Sequence, residues 1–155
     1  MDRAPARLAT ALIACLMAAT VHSAPSRAAS AHAASTLSLN ETGHLRLTSH
    51  RGLTLNEQGT ATGTIAGTIY IHLDVTSTNR VTAEVNIYPA GGSLTGSATA
   101  SYRPAGATAT FAGTMTIARG SGRYSHARGS GLSFTGSIER VNDAVTVRVS
   151  GRIST

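Results

Sequence analysis

The chain has 155 residues, 41% hydrophobic and only 13% charged, with 13 basic against 7 acidic residues for a formal charge of +6. One domain with a real core fits that size, and no second domain is needed. Aromatic residues make up 4%, tryptophan is absent, and 16 glycines sit among many threonines and serines, a usage suited to strands and turns rather than helices.

The N-terminus has the layout of a secretory signal peptide: Arg3 and Arg7, a short apolar run from Leu8 to Val21, then small residues. We expect residues 1–24 to be the signal, with export to the outside of the cell. The run is shorter than the roughly 20 residues that span a bilayer, so no stable membrane span is expected. Leu12-Ile13-Ala14-Cys15 also fits a lipoprotein box, which would anchor the chain through Cys15. Against it, the apolar run continues past Cys15 to Val21. If Cys15 leaves with the signal, the mature chain has no cysteine, and disulfides and thiol catalysis drop out. All the basic side chains are arginines; 11 of them remain against 6 acids, a formal charge of +5. Such a charge suits an acidic cell-envelope polymer as partner, although the arginines are spread along the chain and read most simply as solvated.

Residues 25–35 are small, polar and aperiodic, a flexible leader, and the domain occupies 36–155. From Thr36 onward the period is two: Leu37 and Leu39, Leu45 and Leu47, Leu53 and Leu55, Ile69 to Val75, Val81 to Ile87, Leu94 to Tyr102, Phe111 to Ile117, Leu132 to Ile138, and Val145 to Ile153. Turn signals separate them at Glu41-Thr42-Gly43, Ser49 to Gly52, Gln58-Gly59, Ser77-Thr78-Asn79, Ala90-Gly91-Gly92, Pro104-Ala105-Gly106, 118–131 and Val141-Asn142-Asp143. Eight or nine antiparallel strands result, with no room for crossover helices. Pairing Val75 with Val81 would set His72 opposite Glu84 and Asp74 opposite Thr82.

Glycines decide the architecture. Gly67, Gly96, Gly113, Gly136 and Gly151 share the phase of the apolar residues in their own strands. A core-facing glycine wastes a packing position in a flat sheet but lets a strand coil around an axis. An all-β fold, a small closed antiparallel β-barrel of about eight strands, is therefore expected, since closure also removes exposed edges.

Within that frame, Phe111-Ala-Gly-Thr-Met-Thr-Ile-Ala-Arg-Gly-Ser-Gly-Arg-Tyr124, then Ala127-Arg128-Gly129 and Leu132-Ser-Phe-Thr-Gly136, resembles a segment of plant allene oxide cyclases, dirigent proteins and their bacterial relatives. There a strand enters a Gly-Thr/Ser-Gly-Phe/Tyr turn and returns through a glycine. The resemblance covers roughly 30 residues. It implies a small barrel with an apolar lumen and, in members that are enzymes, cyclisation or isomerisation of an apolar substrate held in one conformation. By this reading Gly120 and Gly122 supply positive φ and Tyr124 folds against the barrel end. A phosphate-binding loop is disfavoured because neither glycine fingerprint is present and no helix follows. RNA binding by Arg119, Arg123, Arg128 and Tyr124 is set below solvated turn residues, so no specific nucleic-acid partner is expected.

The lumen phase gives the candidate ligand-binding residues Tyr102, Val85, Ile87, Met115, Phe134 and Phe111. It reads as wholly apolar, with Tyr102 the one polar member and no carboxylate. Tyr70, His72, Asp74 and Glu84 fall on the opposite face, either an acid/base or metal half-site or, more simply, a solvated cross-strand group. His44, His50 and His126 lie near turns without ligand spacing; no metal and no cofactor is expected. Asn40-Glu41-Thr42 fits a glycosylation triplet, relevant to a eukaryotic source.

Three functions are weighed: a secreted barrel that holds a small apolar ligand or serves as a surface module without catalysis; a cofactor-free cyclase or isomerase for a polyketide- or fatty-acid-like substrate; and, more distantly, a carbohydrate- or ice-binding threonine face at Gly59 to Ile69.

Overall fold

The computed structural model describes residues 35–155. The expected signal peptide, the expected leader through residue 34, and Cys15 lie outside them. Eight strands follow one another: β1 (Thr36–Arg51), β2 (Thr54–Gly63), β3 (Gly67–Ser77), β4 (Arg80–Pro89), β5 (Gly92–Ala105), β6 (Thr108–Gly122), β7 (Gly129–Glu139) and β8 (Ala144–Ser154). Each pairs antiparallel with the next, and β8 returns to pair with β1 from Thr36↔Ser154 to Arg46↔Ala144, closing the barrel. No strand is left with an unpaired edge, so the backbone polar groups of both terminal strands are satisfied within the sheet.

Two expected turns do not exist. Glu41-Thr42-Gly43 lies inside the continuous 16-residue β1, and Gln58-Gly59 inside β2. Both carry turn residues, but pairing on either side keeps them extended: Glu41 to Gly43 face Gly63 to Ala61 on β2 and Val149 to Val147 on β8. Ladder pairing on two sides outweighs local turn preference.

Alternation sorts the side chains as the hydrophobic period predicts. Leu39, Ile69, Val85, Leu94, Met115, Phe134 and Val147 are among the fully enclosed interior residues, whereas the intervening threonines, serines and arginines face outward. That is the reverse of the apolar outer band that seats a barrel in lipid. The β3–β4 hairpin has the expected register, with His72↔Glu84, Asp74↔Thr82 and Val75↔Val81.

Four of the five lumen-phase glycines, Gly67, Gly96, Gly113 and Gly136, are buried or half-buried and allow close approach of neighbouring strands, whereas Gly151, near the end of β8, is exposed. A Cβ on Gly113 would collide with the Thr99 carbonyl and the Ala100 Cα of β5, so β5 and β6 could not coil past each other as they do. At Gly136 the space of the missing side chain is taken by the Phe111 ring from β6, which also packs on Phe134 with ring centroids 5.3 Å apart. In the 118–131 stretch, Gly122 has the expected positive φ (56°), but Gly120 does not; its place is fixed by contact with the Tyr124 carbonyl, which a Cβ would strike.

The two ends differ. At the lower end Ile65 of the β2–β3 turn, and Tyr124 and Ala127 of the β6–β7 loop, are buried and close the lumen. At the upper end the turns stand clear of the axis. They are tied to their neighbours by backbone bonds, Val75 N–H to Leu53 O at 3.0 Å and Tyr102 N–H to Asn79 O at 2.8 Å.

Candidate functional site

Eight strands give an interior just wide enough to be filled by side chains or to hold one small ligand. In this barrel side chains fill most of the interior and leave one end open. The lower part is packed, and the upper mouth opens into a cavity of about 320 Å³. Its wall takes one or two residues from each of β2 to β7: Leu55 of β2, Leu73 and Val75 of β3, Val81 of β4, Tyr102 of β5, Phe111 of β6 and Ile138 of β7. Arg140 and Asp143, from the β7–β8 turn, supply the charged rim. Asp143 holds a positive φ of 52°, a conformation that Asp tolerates better than most residues. The Asn142 side chain fixes that turn, accepting the Ala144 N–H at 3.0 Å and donating to Glu139 at 3.0 Å.

Of the residues expected to line a lumen site, Tyr102 and Phe111 reach this cavity. Val85, Ile87, Met115 and Phe134 face the axis but are enclosed, none more than 2% exposed, and the cavity does not extend to them. The taper follows from the residues: isoleucine, leucine and phenylalanine fill the lower rings, while at the upper end Val75, Tyr102 and Ile138 stand apart and only half-buried.

The expectation of a lumen without carboxylates is overturned. Glu41 and Glu57 both point inward and are 2% and 3% exposed. They share the phase of Leu39 and Leu45, and of Leu55, which is the signal that reveals them once their segments are read as strand rather than turn. Glu41 belongs to the lower end. Its Oε1 accepts the Ile65 N–H at 2.5 Å, holding the β2–β3 turn beneath the barrel. Burial pushes its carboxyl above the usual range, while hydrogen bonds from the Ile65 and Thr64 backbone pull the other way.

Glu57 belongs to the upper half, one inward position below Leu55, and is paired with Ile71, itself one inward position below Leu73. It therefore lies beneath the cavity floor. Its Oε2 has no hydrogen-bond partner. Burial raises its carboxyl to about 7, and the Asp143 carboxylate at the rim adds to the rise. A carboxylic acid so placed exchanges a proton near neutral pH, the property that acid/base chemistry needs.

On the outer face, His72 lies 3.9 Å from Asp74 and its Nδ1 is 2.6 Å from Asn56 Oδ1. Asp74 also accepts a hydrogen bond from the Thr54 hydroxyl at 2.5 Å. Glu84, though opposite His72 in register, instead accepts a bond from Asn86 at 2.9 Å. His72 and Asp74 are both about half exposed, so the group is a solvated cross-strand network. His44 projects from mid-β1, His50 from its upper end, and His126 from the β6–β7 loop, so the fold does not bring them together. The Gly59 to Ile69 stretch folds back through the β2–β3 turn, so its threonines do not form one flat array. Among the described residues no group of three or more His, Cys, Asp or Glu is arranged to hold a metal, and no helix is long and apolar enough to cross a membrane. Compared with known proteins, the chain matches no family model, no curated protein and no solved structure.

Proposed function

We propose that the protein is a secreted barrel that binds one small apolar molecule in its upper mouth. One observation carries this reading: an apolar cavity of about 320 Å³ that the surrounding side chains leave unfilled at one end of an otherwise packed lumen. Its size falls at the lower end of the ~300–1,000 Å³ usual for ligand pockets. The signal-like layout of residues 1–24 supports export. The resemblance of residues 111–136 to allene oxide cyclase and dirigent proteins supports a barrel of that kind. Tyr102, at the wall, would present its ring to the ligand and its hydroxyl toward the rim.

A second reading, a cofactor-free isomerase or cyclase, is favoured specifically by Glu57. A carboxyl that titrates near neutrality lies beneath the floor of an apolar cavity, and it would exchange a proton with a substrate that displaced Leu55 or Leu73 to come within hydrogen-bond reach.

Native mass spectrometry of the protein from its own culture medium tests the binding reading. A co-purifying apolar species is expected, and it should be lost in Ile138→Trp, which fills the mouth. No bound species, together with no thermal protection by a panel of lipids and terpenoids, would overturn it.

A further inference from the structure

The arginines that are scattered in sequence are gathered by the closure of the barrel. Along the outer face of β8 and β1, Arg152 stands opposite Ser38, Arg148 opposite Thr42, His44 opposite Thr146 and Arg46 opposite Ala144. Arg128 extends the line at its lower end, bridged to Ser154. All five side chains are exposed. From the level of Ser154 to that of Ala144 the stripe spans ten residues, or about 33 Å at the strand rise, with an arginine roughly every 7–13 Å. Neither strand directs a carboxylate outward: the one acid of β1, Glu41, is buried in the lumen, and β8 has none. Glu139 and Asp143 border only the upper end. Among the described residues the one ion pair is His72–Asp74, so these arginines are free of carboxylate partners.

Two hollows open on this side of the barrel, and each contains an arginine and three hydroxyls. One, over Gly136, is lined by Arg148 with Thr135, Ser137 and Thr146. The other, beside Gly129, is lined by Arg128 with Thr116, Ser130 and Ser154. Guanidinium and hydroxyl donors around a shallow hollow suit a phosphate group, which accepts bidentate bonds from arginine. The cations form a line rather than a cluster, so the complementary anion is a chain of phosphates and not a single one. The stripe bears no exposed Phe, Tyr or Trp: Phe111 lines the floor of the Arg148 hollow but is 3% exposed, and His44 is the one exposed ring among the stripe residues. The exposed tyrosines, Tyr70 and Tyr88, pack edge to face on β3 and β4 instead, so the stripe lacks the row of large aromatic platforms on which successive nucleobases stack.

We propose that the outer face of β8 and β1 docks a linear polyphosphodiester of the polyol-phosphate kind, with phosphates seated at Arg148 and Arg128. The Arg148 hollow lies on the outer face, whereas the mouth cavity lies in the lumen; Phe111 lines both. Binding is electrostatic and falls with salt as counterions are displaced.

Long-chain inorganic polyphosphate is the probe, with an oligo-dT of equal charge as the comparison. With four arginine contacts and about 0.7 counterions released per contact, affinity should drop about fiftyfold between about 50 and 200 mM salt. In Arg148→Ser/Arg152→Ser, which leaves two contacts, the same change should cost only about sevenfold. Arg148→Lys/Arg152→Lys should keep the steep dependence, and so should Arg119→Ser/Arg123→Ser, which lies off the stripe. The proposal is overturned by an unchanged salt dependence in the double serine variant, by loss of binding in the off-stripe variant, by no binding at low salt, or by tighter binding of oligo-dT than of polyphosphate.

Discussion

Replacing Glu57 by glutamine should stabilise the protein above neutral pH and leave it almost unchanged in acid. The glutamate carboxyl moves from 4.5 when unfolded to about 7 when folded. Between those values the unfolded chain has released a proton that the folded chain still holds, so stability falls as pH rises. The loss begins near pH 4.5 and is complete once the folded carboxyl has ionised above about 7. A shift of that size corresponds to about 3 kcal/mol at about 1.36 kcal/mol per pH unit. Burial of the residue to 3% exposure leaves little solvent screening to reduce it. A glutamine side chain has the same shape without the charge, so Glu57→Gln should gain up to about 3 kcal/mol over wild type at pH 8. For a domain of this size that is on the order of 10 °C in Tm. The measurement is urea unfolding of both proteins at half-unit steps from pH 4 to 8.5. Because Glu41 titrates in both, the difference between the two curves isolates Glu57. Parallel curves would refute the reasoning, since they would mean that Glu57 ionises as it does in water.

Asp143→Asn should move the Glu57 titration midpoint downward without abolishing the shift, because burial is the larger cause and the rim carboxylate the smaller; carboxyl-selective NMR titration reads this directly. Gly113→Ala should destabilise the fold by about 1–3 kcal/mol or more, because the added methyl meets the backbone of β5. Gly52→Ala, in open space with φ of 59°, should cost only about 1 kcal/mol for the left-handed backbone. Equal losses in chemical denaturation would remove the argument from strand approach. Asp74→Asn should change stability by no more than about 0.5 kcal/mol at any pH, since its pair with His72 is half exposed; a larger effect would restore a specific role to the outer group.

The barrel was legible because three independent signals agreed. The period of two marked the strands, the lumen-phase glycines marked their coiling, and matching Val75 to Val81 set a register that the structure reproduces. The lumen carboxylates were hidden by local chemistry: Glu-Thr-Gly and Gln-Gly resemble turns, and only pairing on both sides keeps them extended. Counting Glu41 in phase with Leu39 and Leu45 would have found it. The location of the cavity was not legible, since alternation assigns a side chain to the lumen but not to its packed or open end. That depends on which turns fold over the axis, as Ile65 and Tyr124 do below. The arginine stripe was hidden for a topological reason. Arg46 and Arg148 lie at opposite ends of the domain sequence and meet only through the β1–β8 closure.

The most direct test is a methyl-resolved NMR titration of the protein with a small bicyclic hydrocarbon. Leu55, Leu73, Val81 and Ile138 should shift together and saturate with one site, while Val85, Ile87 and Val149, in the packed interior, stay in place. No shift at any methyl of the upper mouth, or shifts confined to the outer face around Tyr70 and Tyr88, would contradict a barrel built to receive an apolar molecule through one open end.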